Sequence, residues 1–150
     1  MKAKHAGKRP SSKGQARPPV TGLLLVLTRC KDPVREEEFN RWYDGVHIPH
    51  VLETNAPGLH TVRRYKNTSP QPGDPGYLAV YDMSGRDPER TFARMRAGMN
   101  ARRAQGTTYT SDTLDIMHVQ TYKRIKLKER YGSQADRFHG GARQQHHARF

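Results

Sequence analysis

Three side chains within one helical turn form the most chemically distinctive group in this sequence. Tyr43 and Asp44 precede His47 by four and three residues, so along a helix either side chain can reach the imidazole. Histidine exchanges protons near neutral pH, a carboxylate fixes its tautomer, and a phenol donates a hydrogen bond to a developing oxyanion. We therefore predict His47, Asp44 and Tyr43 as catalytic residues for acid–base chemistry. The alternative is that His47 caps its helix or forms a hydrogen bond within the core.

The helix that carries these residues is predicted to begin after Asp32-Pro33 and to end or bend near His47. Pro49 lacks a backbone donor and disfavours helical backbone at Ile48. A helix C-terminus and an ionised Asp44 would both favour the imidazolium. We therefore expect His47 to titrate within the physiological range.

Further aromatic and histidine side chains are candidates for the wall of a substrate pocket. Trp42 belongs to the same helical stripe as Phe39, and its alternative role is packing in the core. His118 and Tyr122 share one face of a predicted strand with Leu114 and Ile116, and they converge on His47 only if that face lines the pocket. The predicted substrate-binding residues are Trp42, Tyr65, Tyr81, His118 and Tyr122.

The sequence carries no pattern typical of metal, nucleotide or cysteine chemistry. His47 and His50 have a His-x-x-His spacing, but Pro49 interrupts the helical register between them and no third ligand is evident. The single cysteine, Cys30, has no base nearby in sequence. There is no phosphate loop, no Rossmann glycine pattern and no nucleophile elbow. We predict that the chemistry uses no metal and no cofactor.

The predicted elements follow the order β-α-β-β-α-β. This order is typical of an α+β, ferredoxin-like fold, in which a four-stranded antiparallel sheet carries both helices on one face. Strands 1, 3 and 4 are apolar on both faces, so the uncovered face is expected to pack against a second copy of the chain. The predicted strands span residues 20–28, 59–65, 77–83 and 113–122, and the second helix begins after Asp87.

The charge of the chain is concentrated at its two ends. Of the formal net charge of +13, residues 1–19 and residues 123–150 carry +6 each, and the middle carries +1. We predict a disordered basic arm at 1–19, one domain at 20–125 and a basic polar tail at 126–150. These ends permit contact with nucleic acid, although a run of charge is usually only solvated.

Residues 38–52, EFNRWYDGVHIPHVL, form the most specific motif of the chain. Together with Pro57-Gly58, Arg64-Tyr65 and the strand at 77–81, this segment resembles the EthD-like family of the dimeric α/β-barrel superfamily. In that family a helix with the pattern W-Y-D-x-x-H-x-P precedes a Pro-Gly turn and the second strand. The resemblance covers about residues 20–122 and implies a homodimer whose two sheets form a barrel.

The resemblance implies a small enzyme whose relatives act without cofactors on lactones, polyketides and aromatic compounds. The expected function is acid–base catalysis of an isomerase, cyclase, dehydratase or lyase type on an aromatic or polyketide-like carbonyl compound, and cofactor-independent oxygenation also occurs in the superfamily. One alternative is a non-catalytic small-molecule-binding or accessory protein on the same scaffold. Another is a nucleic-acid-binding module acting through the basic ends. The absence of a long apolar run and the single cysteine favour a cytoplasmic protein without a membrane span.

Overall fold

A computed structural model describes residues 16–126 of the chain. In this part the elements follow the predicted order. Strand β1 spans Gly22–Cys30, β2 spans Leu59–Lys66, β3 spans Tyr77–Met83 and β4 spans Leu114–Lys123. The first helical segment comprises a 3-10 turn Pro33–Arg35, helix α1 Glu36–Trp42, a π turn Tyr43–His47 and helix α2 Ile48–Leu52, and the second is helix α3 Pro88–Ala104.

The four strands form one antiparallel sheet in the order β2-β3-β1-β4. This is the predicted ferredoxin-like α+β fold, in which each helix crosses between two strands separated by a third. On β1 the side chains of Leu24, Val26 and Thr28 point toward the helices and are buried, whereas those of Leu23 and Leu25 are only partly buried on the open face. The predicted strand pattern and its two faces are therefore confirmed for β1.

Strand β4 differs from the prediction because it contains an irregularity. Leu27 pairs with His118 but the next residue, Thr28, pairs with Ile116, so one extra residue of β4 lies opposite this step. An extra residue reverses the alternation of side chains along a strand. As a result Ile116 and Val119 face the helices together, and the prediction that Ile116 shares a face with His118 was wrong.

The prediction was that the helix carrying His47 ends or bends near that residue; it does not end but changes to a π turn at Tyr43–His47 and continues to Leu52. Within the π turn the Ile48 N–H bonds to the Tyr43 carbonyl, five residues back. Pro49 then occupies the first turn of α2, where a missing N–H costs little, and the wider turn before it accommodates the ring. The change of helix type thus accommodates the proline. His47 therefore lies inside a helical segment rather than at its C-terminus.

The predicted ends of the chain lie almost wholly outside the described residues, so the arm at 1–19 and the tail at 126–150 remain predictions. Within residues 16–126 no helix is long and apolar enough to cross a membrane.

The Pro57-Gly58 turn joins the first helical segment to the sheet through a close backbone approach. Gly58 has φ +94°, and a Cβ at this position would lie 2.6 Å from the Ser84 carbonyl oxygen. The Gly58 carbonyl also accepts a 2.8 Å hydrogen bond from the Ser84 N–H. Gly85 has a similar φ of +100°, but nothing lies within 4 Å of the position of its Cβ.

Gly58→Ala should therefore destabilise the protein more than Gly85→Ala. Both substitutions carry the conformational cost of a positive φ, about 1–2 kcal/mol. Only Gly58→Ala adds a clash with backbone that is itself hydrogen-bonded. Urea unfolding of both variants measures the difference, and equal losses of stability would contradict the close approach.

Candidate active site

A cavity of about 530 Å³ lies between the sheet and the helices. This volume is within the range of pockets that hold small organic ligands. Strands β1 and β4 form its floor, and α3 with the π turn forms its walls. Its apolar lining includes Leu24, Val26, Met95, Met99, Ile116 and Val119.

His47 lines this cavity from the π turn. Its ring packs at 5.2 Å from the Trp42 ring and edge-on at 4.8 Å from the Tyr43 ring, measured between centroids. Among residues 16–126 no group forms a hydrogen bond to the imidazole. The ring is therefore held by aromatic packing, and its nitrogens remain available to a ligand in the cavity.

The environment of His47 favours the neutral imidazole. Burial lowers its pKa to about 4, and the positive charges of Arg103 and Arg64, with His50, act in the same direction. The expectation that His47 titrates in the physiological range was based on a helix C-terminus and an adjacent carboxylate. The structure provides neither, and it places two guanidinium groups nearby instead.

Two phenols lie beside His47 on the cavity wall. Tyr43 and Tyr81 are 1% and 2% exposed. Burial raises the pKa of Tyr43, an effect that the neighbouring Tyr81 hydroxyl and Arg64 oppose. Burial raises the pKa of Tyr81 well above its usual range, and the Tyr43 phenol raises it further. Both hydroxyls therefore remain protonated at neutral pH and can donate hydrogen bonds.

Asp44 does not contact His47, in contrast to the prediction. Its carboxylate is mostly exposed and accepts a 2.7 Å hydrogen bond from the Arg64 guanidinium, which also donates to the Asn40 side chain at 2.8 Å. In this helical segment the carboxylate of Asp44 points toward strand β2, where a buried cation attracts it. Asp44 thus holds Arg64 in place, and its charge helps to raise the pKa of Tyr43.

Arg64 is the cation that organises this side of the cavity. Its side chain is 11% exposed, and its guanidinium lies 4.1 Å from the centre of the Tyr43 ring, 4.9 Å from that of Tyr77 and 5.6 Å from that of Phe39. Its Nε is buried and has no hydrogen-bond partner in the described part of the chain. The aromatic faces partly compensate this desolvation.

Of the five residues predicted to bind substrate, only Tyr81 lines the cavity. Trp42 is 4% exposed and donates a 3.3 Å hydrogen bond from Nε1 to the Tyr109 carbonyl, so it belongs to the core beneath His47. The other three lie on the open face of the sheet, the one that no helix covers. Directly paired residues share a face, and the pairs are Tyr65 with Leu78, His118 with Leu27 and Tyr122 with Leu23. The irregularity in β4 removes His118 and Tyr122 from the cavity.

The sequence analysis missed a polar row on α3. Arg96, Asn100 and Arg103 are separated by four and three residues, which places them on one stripe of the helix, and all three line the cavity. This row runs beside the apolar stripe of Met95 and Met99. The spacing was visible in the sequence. In a sequence, however, arginines that line a cavity cannot be distinguished from arginines that are only exposed to solvent.

His50 lies near His47 but makes a different contact. Its Nδ1 is 2.7 Å from the Thr108 hydroxyl oxygen. Within residues 16–126 no group of three histidine, cysteine, aspartate or glutamate residues is arranged to hold a metal ion. The site therefore presents one neutral imidazole, two phenols and two arginines around an apolar cavity.

Comparison with known proteins identifies similar solved structures only. No family model and no curated protein matches the chain. The chain matches HapK from Hahella chejuensis at 11% identity, covering 71% of this chain and 95% of that one, with a TM-score of 0.49. It matches a putative monooxygenase from Shewanella loihica at 15% identity, covering 71% and 97%, with a TM-score of 0.43.

A third similar structure is an ethyl tert-butyl ether degradation (EthD) family protein from Bacillus halodurans. It is 16% identical, the match covers 70% of this chain and 98% of that one, and the TM-score is 0.41. An EthD-family protein is thus among the proteins of similar structure. At these identities the likeness is one of fold, the ferredoxin-like α+β fold that the strand order defines.

Proposed function

We propose that this protein is a small homodimeric enzyme that performs acid–base chemistry without a cofactor on an aromatic or polyketide-like carbonyl compound. The observation that supports this proposal best is the pairing of a neutral imidazole with two protonated phenols on the wall of one apolar cavity. The reaction classes that such a site suits are isomerisation, cyclisation, dehydration and lyase cleavage, because each has routes that pass through an enolate next to a carbonyl group.

In the proposed reaction His47 accepts a proton from a carbon adjacent to the carbonyl group of the substrate. The carbonyl oxygen gains negative charge as the enolate forms, and the Tyr43 hydroxyl donates a hydrogen bond to it while Tyr81 donates to the Tyr43 oxygen. His47 then returns the proton to a different carbon, or to a leaving oxygen. The apolar cavity strengthens these interactions because water is largely excluded.

Arg64 has a positioning role in this scheme rather than a catalytic one. It packs on the outer face of the Tyr43 ring and so fixes the direction of the phenol. Its charge also stabilises negative charge that develops nearby and helps keep His47 neutral before substrate binds. Asp44 holds the guanidinium in place from the solvent side.

A non-catalytic ligand-binding protein is the second candidate, and one observation favours it. No described residue forms a hydrogen bond that would fix the tautomer of His47. A catalytic histidine usually has such a partner, whereas an imidazole that only contacts a ligand does not need one. The two candidates differ in whether the protein removes a proton from bound ligand.

Proton abstraction can be measured before the physiological substrate is known. The wild-type protein should accelerate exchange of the acidic C–H of aryl ketones or butenolides with deuterium in D₂O, followed by NMR. His47→Gln should lower this acceleration about 10²–10⁴-fold, since the amide keeps a polar group in the cavity but accepts no proton.

His60→Gln is the matched control, because His60 pairs with the Ser84 hydroxyl outside the cavity wall. It should keep the wild-type exchange rate. A wild-type protein that binds these compounds without promoting exchange would favour the binding-protein alternative. Undiminished exchange in His47→Gln would contradict the role of His47.

The homodimer is supported by the open face of the sheet. Its centre is apolar, with Leu25 and Leu27 on β1 opposite Val80 and Leu78 on β3, whereas Leu23 lies opposite Asp82. No described element covers this face, since both helical segments pack on the other one. A second copy placed across a two-fold axis would bury the same stripe from both chains.

Leu25→Glu should convert the protein from dimer to monomer, because Leu25 lies between Val80 and Gln120 at the middle of the open face. Light scattering at micromolar concentration should give twice the chain mass of 17.2 kDa for the wild type and a single chain mass for the variant. Val34→Glu, at a side chain that is 93% exposed, is the control and should remain dimeric. A monomeric wild type would contradict this assembly.

A further inference from the structure

One edge of the cavity carries positive charge, which the proposed acid–base reaction does not require. Its apolar floor ends at a mouth where two arginines from α3, Arg96 and Arg103, border the space. No aspartate or glutamate lines this cavity. A second cavity contrasts with it, because there Arg41 is accompanied by Glu38 and Asp112.

The two arginines are held by neutral partners. Arg103 donates to the Thr110 hydroxyl at 3.2 Å and to the Asn100 side-chain oxygen at 2.9 Å, whereas Arg96 lies 5.4 Å from the centre of the Phe92 ring. Neither forms an ion pair within the part of the chain that the structure describes, although eight other such pairs occur there. Their positive charge is therefore directed at the cavity mouth without a carboxylate to neutralise it.

The row on α3 presents guanidinium groups along one edge of the cavity. Arg96 and Arg103 are two turns apart on the same stripe, and Asn100 lies between them. Guanidinium groups bind carboxylates and related anions through charge-assisted hydrogen bonds. The amide of Asn100 orients Arg103 toward this position.

We propose that the cavity selects a ligand with one anionic oxygen group on an apolar body, the anion lying against the α3 row of Arg96, Asn100 and Arg103 and the body on the apolar floor. This inference rests on the proposed function. It specifies the substrate as a carbonyl compound that also carries one ionised acidic group. The carbonyl end then lies near His47 and the two phenols, on the inner side of the cavity.

Anion binding should also influence His47. Arg103 helps to lower the pKa of the imidazole, so an anion that neutralises Arg103 raises that pKa again. The groups that act on His47 are Tyr43 and Trp42 from its own segment, His50 from α2, Arg64 from β2 and Arg103 from α3. None of these contributes an acid, so the ligand supplies the missing negative charge.

A matched pair of fluorescent probes tests the selectivity. Anilinonaphthalene sulfonate and N-phenyl-1-naphthylamine share one ring system, but only the first is anionic. The wild-type protein should bind the sulfonate more tightly than the neutral probe. The double variant Arg96→Gln/Arg103→Gln should weaken sulfonate binding about tenfold or more and change binding of the neutral probe less than twofold.

Arg94→Gln is the control on the same helix, because Arg94 lines a different cavity and its loss removes one positive charge, as each substitution of the double variant does. It should leave both affinities within twofold. Equal loss of both probes in the double variant, an equal effect of Arg94→Gln, or failure of the sulfonate to bind would overturn the proposal.

A second readout tests whether the anion lies near Arg103, whose charge acts on His47. As pH falls from 7 toward 4, sulfonate affinity should rise more in the wild type than in His47→Gln, because only the wild type takes up a proton at that position on binding. Identical pH dependence in both proteins would place the anion elsewhere and overturn the proposal. Failure of the deuterium exchange experiment with retained anion selectivity would instead contradict only the catalytic role.

Discussion

The buried guanidinium of Arg64 connects the sheet to the helix that carries the site. Strand β2 places it among the rings of Phe39, Tyr43 and Tyr77, where water cannot solvate it fully. Its hydrogen bonds to Asp44 and Asn40 offset part of that cost, and its buried Nε shows that the compensation is incomplete. The position of Tyr43, and the charge that His47 experiences, both depend on this cation.

The cavity follows from the same arrangement. Near β2 and β3 the helical side chains that pack on the sheet are large and aromatic. Two of them, Phe39 and Tyr43, contact the Arg64 guanidinium. Toward β4 the sheet side chains are aliphatic, and α3 contributes unbranched methionines such as Met95 and Met99. Space remains between these two kinds of packing, and the neutral His47 borders it. Acid–base function is therefore proposed where the packing of the core is incomplete.

The fold was largely predictable because strand patterns and helix signals are local. The bounds of β3, the N-cap at Asp87 and the Pro57-Gly58 turn follow from neighbouring residues alone. The extra residue in β4 was not predictable, since nothing in the apolar pattern near Met117 distinguishes it from regular alternation. It changed the predicted environment of His118 and Tyr122 completely. The passage of a helix through Pro49 likewise depends on a π turn that residue spacing does not reveal.

The candidate site was predictable only in part, both in its residues and in its electrostatics. Tyr43, His47 and Tyr81 were recognised from sequence, whereas the partner of Asp44 was not. Spacing along a helix allows Asp44 to reach His47, but a buried cation on another strand attracts the carboxylate more strongly. Such a contact joins residues 20 positions apart and depends on the sheet. The pKa of His47 was consequently expected in the wrong range.

The most direct test of this account is an NMR titration of the His47 imidazole. Its ring carbon-bound protons can be assigned by comparison with His47→Gln and followed from pH 8 to pH 3.5. The account predicts a midpoint near pH 4, because burial and the charges of Arg103 and Arg64 disfavour the imidazolium. A midpoint at or above about 6.5, the value of an unperturbed histidine, would contradict it.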